Sequence, residues 1–312
     1  MSASKTLPDW LTFRTQAQPL EALEGLRGLF GTLGPALGLK HLDKGSMGFR
    51  SAAEIRIAGQ LLLGRMDYGG ESQRGWVRVT LTGVGCENVK DWDALADVEA
   101  LPASEIRRLD IALTTWKREV LHESIVDAHT GGLFRVGVQG RPPELQQITS
   151  SDPLAGRTCY VGVRTSDKFF RGYEKGFQMR ASMGRSAFCC TAIDGFPIED
   201  IYRCEVELKP RAAVIPWEAV ERRDHYFAGS YPFLSKLLPG VESDILMRRP
   251  ERAAQTSLKV ALANARIQFG TALFTACAAY GGDFGRVWSE ICGDRHNADL
   301  LAAGVLLVDH DI

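Results

Sequence analysis

Hydrophobic and polar positions alternate along several stretches of this chain with the period of two residues that is typical of β-strands. Strands are predicted at residues 9–14, 48–67 (a meander), 76–81, 106–115, 158–164, 169–175 and 201–210. Apolar spacing near 3.6 residues predicts helices at residues 120–128 and 253–280. The sequence therefore predicts an α+β fold, with a large antiparallel β-sheet, flanking helices and a helical C-terminal region.

The regular pattern breaks at residues 248–251, and the long amphipathic helix follows at once. This break predicts two domains, residues 1–250 and residues 251–312. The chain of 312 residues is long enough for one large core and a smaller second one. The second domain could have any of three roles: dimerisation, binding of host proteins, or capping of the sheet.

A tyrosine between two cations marks the strand predicted at residues 169–175. Because side chains two residues apart share a face of a strand, Arg171, Tyr173 and Lys175 are predicted to lie together. Nearby positive charge lowers the pKa of a phenol and attracts a phosphodiester. These residues are candidates for catalysis, and the alternative is a structural tyrosine on a half-exposed strand.

Two further predicted strands carry acids on one face. Asp110 lies in the middle of the strand at residues 106–115, where propensity disfavours it, so either a metal ion or Arg108 is expected to compensate it. Glu205 and Glu207 share a face of the strand at residues 201–210, and cross-strand ion pairs are the alternative to an active-site role. If these strands are neighbours, their carboxylates can share Mg²⁺ or Mn²⁺, which prefer oxygen ligands.

Charge is distributed unevenly, although the formal net charge is only −1. Residues 157–185 contain seven Lys or Arg and two acids, whereas residues 86–105 contain six acids and one lysine. A local anionic ligand fits this asymmetry better than general binding to polyanions. A solvated basic face is the alternative.

Other classes of function are disfavoured by what the sequence lacks. The seven cysteines contain no CxxC pair, so neither a zinc site nor a redox dithiol is indicated. No apolar run reaches membrane-spanning length, and the first residues show no signal-peptide pattern, so we expect a cytoplasmic protein without a membrane partner. The six histidines form no His-hydrophobic-His pair.

The run RTCYVGVRTSDKFFRGYEKG at residues 157–176 resembles the signature of the replication initiation factors of filamentous phages and some rolling-circle plasmids. Three further segments resemble the same family in the same order: the strand with R-x-D, the strand with R-x-E-x-E, and F-A-G-x-Y-P at residues 227–232. The family pattern R-x-D-x-A-x-D ends in a second aspartate, but Thr114 occupies that position here.

The resemblance implies a DNA-nicking and strand-transferring enzyme that starts rolling-circle replication in a bacterial host cell. Tyr173 would be the nucleophile. The other implied residues are listed by role: for catalysis Lys175, Arg171, Asp110 and Glu205; for binding of Mg²⁺ or Mn²⁺ Asp110, Glu205 and Glu207; for DNA binding Arg157, Arg164, Lys168, Arg180 and Arg203.

The implied partner is origin DNA, either single-stranded or supercoiled, with a host helicase, a host polymerase and a homodimer as further candidates. Two rival functions stay open. One is a non-catalytic origin-binding protein or repressor derived from the same family, which the threonine at position 114 favours. The other is an RNA-binding module, for which Phe169 and Phe170 are the aromatic residues offered for stacking on bases.

Overall fold

The structure is a computed structural model that describes residues 5–135, 141–152, 154–184, 190–211, 213–246, 249–297 and 300–301. Its main feature is a ten-stranded sheet in which every neighbouring pair is antiparallel. The strands are β1 (Leu7–Thr15), β2 (Leu37–Leu42), β3 (Ser51–Ile57), β4 (Leu61–Tyr68), β5 (Val77–Leu81), β6 (Glu105–Thr115), β7 (Leu145–Ile148), β8 (Thr158–Val161), β9 (Lys168–Tyr173) and β12 (Tyr202–Leu208), and a separate small hairpin contains β10 (Ala192–Ile193) and β11 (Phe196–Pro197).

The helices lie between and after these strands. They are α1 (Pro19–Arg27), α2 (Gly83–Glu87), α3 (Leu95–Glu99), α4 (His122–Thr130), α5 (Lys175–Ser182), α6 (Glu218–Glu221), α7 (Arg223–Ser230), α8 (Pro232–Leu237), α9 (Arg249–Ala279) and α10 (Phe284–Ile291), with short 3₁₀ segments at Gly28–Ala36, Glu71–Gln73 and Ile198–Asp200. The predicted α+β fold with a large antiparallel sheet is confirmed.

The strand order in the sheet is β2-β3-β4-β5-β1-β6-β12-β9-β8-β7. Sequence neighbours β2 to β5 form a meander, but β12 lies between β6 and β9, which both precede it in the chain. This insertion places the three strands that carry the candidate residues side by side.

The alternation along the central strands gives the sheet one apolar face and one polar face. On the apolar face, residues such as Leu11, Leu109, Ile111, Val206 and Phe170 are fully buried in one large core. Helices α4 and α7 contact the strands, and buried residues of both belong to that core. The opposite face is left for the charged side chains.

The chain divides into two compact units. The first comprises residues 1–211 and 215–246, and the second comprises residues 212–214 and 247–312. The second unit contains the long helix α9, with α10 packed against it. The division falls close to the predicted boundary at residue 250, while the roles assigned to the two domains stay predictions.

The predicted hairpin needs a correction at its end. Strand β9 stops at Tyr173, and Lys175 is the first residue of helix α5, where the sequence predicts a continued strand and then a linker. Gly176 permits this turn, because a Cβ atom there would lie 2.0 Å from the carbonyl oxygen of Ile198. Strand periodicity could not show this close approach, which depends on a segment more than twenty residues away.

Two predicted segments lie wholly or partly outside the described residues. An extended segment is predicted at residues 187–193, of which 187–189 are not described, and β10 covers part of the rest. The short helix predicted at residues 299–306 has only residues 300 and 301 within the described ranges. Across the described ranges, no helix is both long enough and apolar enough to span a membrane.

Candidate active site

The register of three strands brings the predicted polar residues onto one face of the sheet. Glu207 of β12 lies opposite Asp110 of β6, and Glu205 lies opposite Arg171 of β9. Arg203 is flanked on its two sides by Thr114 and Tyr173. Residues directly opposite each other in a sheet point to the same side, so the polar residues of all three strands share one surface.

Buried carboxylates on this surface are paired with cations. Asp110 is 1% exposed and accepts two hydrogen bonds from Arg108, at 2.7 Å from Nε and 2.5 Å from Nη2. The same Nη2 lies 3.4 Å from Oε2 of Glu207, and the other carboxylate oxygen of Glu207, Oε1, contacts Nζ of Lys209. Burial raises the pKa of Asp110 against the opposing effect of Arg108. The guanidinium of Arg108 therefore bridges two acids of neighbouring strands, as one of the two sequence alternatives predicts.

Glu205 occupies the centre of the polar face and is 2% exposed. Its Oε1 atom is bonded to Nη2 of Arg171, whereas its Oε2 atom is buried without a hydrogen-bond partner. Burial raises the pKa of Glu205 to about 7, although Arg171 opposes the shift. A carboxyl group with such a pKa exchanges protons near neutral pH.

The Tyr173 side chain does not have the lowered pKa that the sequence predicts. It is only 8% exposed, and burial raises its pKa to about 12, with Arg203 as the largest opposing influence. The cations are present as predicted, but the loss of water around the phenolate outweighs them. The phenol is therefore protonated at neutral pH and needs a proton acceptor before it can attack.

Two cations flank the ring of Tyr173. The Arg171 guanidinium carbon lies 5.5 Å from the ring centroid, and Nζ of Lys175 lies 5.8 Å from it. Burial lowers the pKa of Lys175. Lys175 thus reaches the tyrosine from helix α5 rather than from the predicted strand face.

Asp9 is a site residue that the sequence analysis does not single out. Its Oδ1 atom accepts a hydrogen bond of 2.8 Å from Nη1 of Arg203. Strand β1 has an irregularity between Pro8 and Trp10 in its pairing with β6, so Asp9 is the extra residue of a bulge. Simple alternation cannot place a bulged side chain, and the only available signal was an aspartate in a predicted strand.

The five predicted DNA-binding cations are in different environments. Arg164 stacks on Tyr160 and Phe169, with its guanidinium carbon 5.3 Å and 4.9 Å from the ring centroids. Arg180 donates to the carbonyl of Leu154 and lies over Phe177. Both guanidinium groups therefore contact aromatic rings, and that of Arg180 also donates a hydrogen bond.

Arg157 and Lys168 are held by other parts of the protein. Arg157 is bonded to Glu123 and Glu174, so the acid next to Tyr173 in the motif closes the end of the β8–β9 hairpin. Lys168 pairs with Leu208 and alternates to the opposite face from Tyr173, where its ammonium group bonds the carbonyl oxygen of Ser230. This position is unsuitable for contact with DNA bound at Tyr173.

The predicted metal ligands supply suitable donor atoms. Asp110, Glu205 and Glu207 offer hard carboxylate oxygens, and the buried, unpartnered Oε2 of Glu205 is an atom that a cation would satisfy. Within the described ranges, however, no group of three or more His, Cys, Asp or Glu side chains lies close enough together to hold a metal ion. The donor set is compatible with Mg²⁺ or Mn²⁺, but these carboxylates are paired with arginine and lysine side chains.

The F-A-G-x-Y-P segment has a packing role. Phe227 and Tyr231 are buried in the main core, and the ring centroid of Tyr231 lies 5.2 Å from that of Phe134. Gly229 allows close contact with a following segment, since a Cβ atom there would lie 1.8 Å from the carbonyl oxygen of Asp244. The segment therefore supports the sheet from its apolar side.

Comparison with known proteins confirms the resemblance that the sequence motifs indicate. Residues 104–249 match the family model described as replication initiation factor. The matched residues contain all of β6, β9 and β12.

A solved structure is also similar to this chain. It is a rolling circle replication initiator protein from Geobacillus stearothermophilus, with 21% sequence identity, a TM-score of 0.47, and coverage of 66% of this chain and 74% of the other. No curated protein matches the chain.

Proposed function

We propose that this protein starts rolling-circle replication by nicking origin DNA, with Tyr173 as the nucleophile. The observation that carries the proposal is the strand register, which places Tyr173 directly opposite Arg203 and next to the ion pair of Arg171 with the buried Glu205. All four residues lie in the region that matches the replication initiation factors. A tyrosine, a carboxylate and several cations on one rigid sheet are suited to phosphoryl transfer by a covalent route.

The reaction begins with removal of the phenolic proton. Glu205 is a suitable acceptor, because its pKa of about 7 is matched to neutral pH and its charge acts on the Tyr173 phenol. The phenolate oxygen then forms a bond to phosphorus while the bond from phosphorus to the 3′ oxygen breaks. The departing 3′ oxygen takes up a proton, leaving a 5′-phosphotyrosine and a free 3′-hydroxyl.

The reverse reaction closes the strand. The phosphotyrosine bond replaces the cleaved linkage one for one, so a 3′-hydroxyl can attack it without ATP. Until then the free 3′ end can prime a host polymerase, and a host helicase can unwind the duplex from the nick. The proposed place of action is the cytoplasm of a bacterial host.

The cations around Tyr173 stabilise the negative charge that develops on the phosphate. Arg203 lies opposite the nucleophile, and Arg171 and Lys175 flank its ring. Fixed cations in a partly buried site stabilise a transition state more strongly than mobile ions in water. These three side chains are therefore proposed to bind the scissile phosphate.

A divalent cation is proposed as the cofactor. For Asp110, Glu205 and Glu207 to hold Mg²⁺ or Mn²⁺, they would have to move closer together and exchange their arginine and lysine partners for the ion, which would act on the scissile phosphate as a Lewis acid. The roles proposed for Tyr173, Arg171, Arg203 and Lys175 do not depend on this ion.

A denaturing-gel assay tests the proposal. Wild-type protein and Tyr173→Phe are incubated with single-stranded and supercoiled origin DNA, with Mn²⁺ or with EDTA. The expected result is a covalent protein–DNA adduct that is lost in Tyr173→Phe and reduced by EDTA. Tyr160→Phe is a matched control, because Tyr160 lies on the adjacent strand β8 and should leave adduct formation intact.

The rival function is a non-catalytic origin-binding protein, and Thr114 is the observation that favours it. In that case wild-type protein would bind origin DNA tightly and form no adduct under any condition. Binding without an adduct would overturn the proposed nicking activity and leave a DNA-binding regulator.

A further inference from the structure

Arg203 has two partners on the polar face, and one of them occupies the position where the family pattern carries an acid. Its Nε donates a hydrogen bond of 2.9 Å to Oγ1 of Thr114, and its Nη1 donates one of 2.8 Å to Oδ1 of Asp9. A threonine hydroxyl can accept this bond but supplies no negative charge. The charge that balances Arg203 comes instead from Asp9.

The ion pair between Asp9 and Arg203 is largely buried and is not a surface contact. The side chains of Asp9 and Arg203 are 16% and 8% exposed. Charge-assisted hydrogen bonds at such sites are stronger and better oriented than those at exposed positions. The bulge in β1 is what turns Asp9 towards the strand two places away in the sheet.

We propose that Asp9 is a positioning residue that holds Arg203 beside Tyr173 and replaces the acid missing at position 114. The inference rests on the proposed function, because it gives Arg203 the task of meeting the phosphate that Tyr173 attacks. The described contacts of Arg203 use Nε and Nη1, which leaves Nη2 as the donor for a phosphate oxygen.

The surroundings of Tyr173 show why Arg203 needs a fixed position. Arg171, Lys175 and Glu205 also act on the phenol from β9, α5 and β12. Among the cations, Arg203 has the largest influence on the phenol. Displacement of a catalytic group by about 1 Å can lower a rate by about 100-fold, so an anchor at two of its nitrogens matters for the reaction.

The test is a rescue experiment in the full chain. Asp9→Asn should lower the single-turnover rate of adduct formation by about 10- to 100-fold while the Kd for origin DNA changes by less than about threefold. Adding Thr114→Asp to that variant returns a carboxylate to Arg203 from β6 and should restore most of the rate. A defect of folding alone would lower the amount of origin DNA bound as well, whereas the inference predicts normal binding with a slow reaction.

A matched control is available in the same sheet. Glu54 pairs with Arg56 on β3 at 2.8 Å, and their side chains are 23% and 19% exposed. Glu54→Gln removes a comparable ion pair far along the strand order from Tyr173 and should leave the rate of adduct formation unchanged. A loss of rate in this variant as large as that in Asp9→Asn would overturn the positioning role.

The ion pair itself is tested without activity, by urea unfolding of Asp9→Asn, Arg203→Gln and the double variant. The double variant should be less destabilised than the sum of the two single variants. Additive effects, a wild-type rate in Asp9→Asn, or failure of Thr114→Asp to restore the rate would each contradict the inference.

If wild-type protein forms no adduct, the proposed function fails, and the Asp9 inference, which gives Arg203 a role in that reaction, is overturned with it. Non-additive unfolding in that case would show the ion pair alone, so the two failures can be told apart.

Discussion

The two faces of strands β6, β9 and β12 differ in what their burial does for the protein. On one face, Ile111, Val206 and Phe170 are packed in the core and stabilise the fold by removal of apolar surface from water. On the other face, Asp110 and Glu205 are just as buried, but they are charged groups that lose hydration. Burial on the apolar face therefore stabilises the fold, whereas burial of charged groups on the polar face of the same strands costs free energy.

This difference indicates that the apolar face serves stability, whereas the burial of charge on the polar face needs another explanation. A buried ion pair is weak evidence for stability, since well-packed apolar residues often replace it without loss. Several buried carboxylates that are paired with cations nevertheless lie on the polar face, which supports the proposal that this face serves the chemistry. Substitutions on the two faces should separate activity from stability.

The largest expected effect comes from replacing the Arg171–Glu205 pair by Arg171→Met with Glu205→Leu. Adduct formation should fall by about 1,000-fold or more, because the proposed phosphate-binding cation and the proposed proton acceptor are both lost. The free energy of unfolding should stay the same or rise by about 1 kcal/mol, the low end for such replacements because Arg171 is one-third exposed. Urea unfolding and the gel assay measure the two effects, and a large loss of stability would contradict this view of the polar face.

The opposite face should give the opposite outcome. Phe170→Ala removes a fully buried ring and should lower the free energy of unfolding by about 3–5 kcal/mol. The folded fraction should keep its rate of adduct formation per molecule, because Phe170 points away from Tyr173. The check is urea unfolding together with a rate measured on protein whose folded fraction is known.

The pH dependence of stability sharpens the comparison. Since burial raises the pKa of Glu205 from 4.5 to about 7, the folded state binds a proton that the unfolded state releases in this range. The contribution of Glu205 to the free energy of unfolding is therefore fully present below pH 4.5, and it is lost as the pH rises through 7. Between pH 5 and 8, wild type should lose about 1–3 kcal/mol relative to Glu205→Gln. If the free energies of unfolding of the two proteins change with pH in parallel, Glu205 is not the group that causes the pH dependence.

The smallest effect is expected for an ion pair outside both faces. Arg118 and Asp200 lie 3.2 Å apart, and the arginine side chain is 57% exposed. Asp200→Asn should change the free energy of unfolding by less than about 1 kcal/mol and leave adduct formation unchanged. A larger change in the free energy of unfolding would show that this ion pair contributes more than an exposed pair usually does. A loss of adduct formation would show that the activity also depends on residues outside the polar face.

The sequence predicts the central sheet well because each strand there has one apolar and one polar face. Strict alternation places Asp110, Glu205, Arg171 and Tyr173 on common faces, and the register then joins those faces. Local pattern also predicts the long helix, whose spacing extends over many turns.

Other features depend on contacts between distant parts of the chain. The role of Asp9 arises from a bulge, which has no periodic signature. The end of β9 at Tyr173 depends on the contact of Gly176 with Ile198, and the raised pKa of Tyr173 depends on burial by other elements. Sequence pattern shows which groups share a strand face, but it does not show how much water reaches them.

The position of β12 between β6 and β9 also determines when the site can form during folding. Both neighbours precede β12 in the chain, so a growing polypeptide contains two unpaired strand edges until residues 202–208 are made. Pairings across such sequence separations form slowly because long loops must close first. Within the sheet, β12 alone joins the group of strands from β2 to β6 to the group of β7, β8 and β9. The polar face should therefore appear late and in one step, and truncation before β12 should leave two sheet fragments with exposed edges that are prone to aggregate.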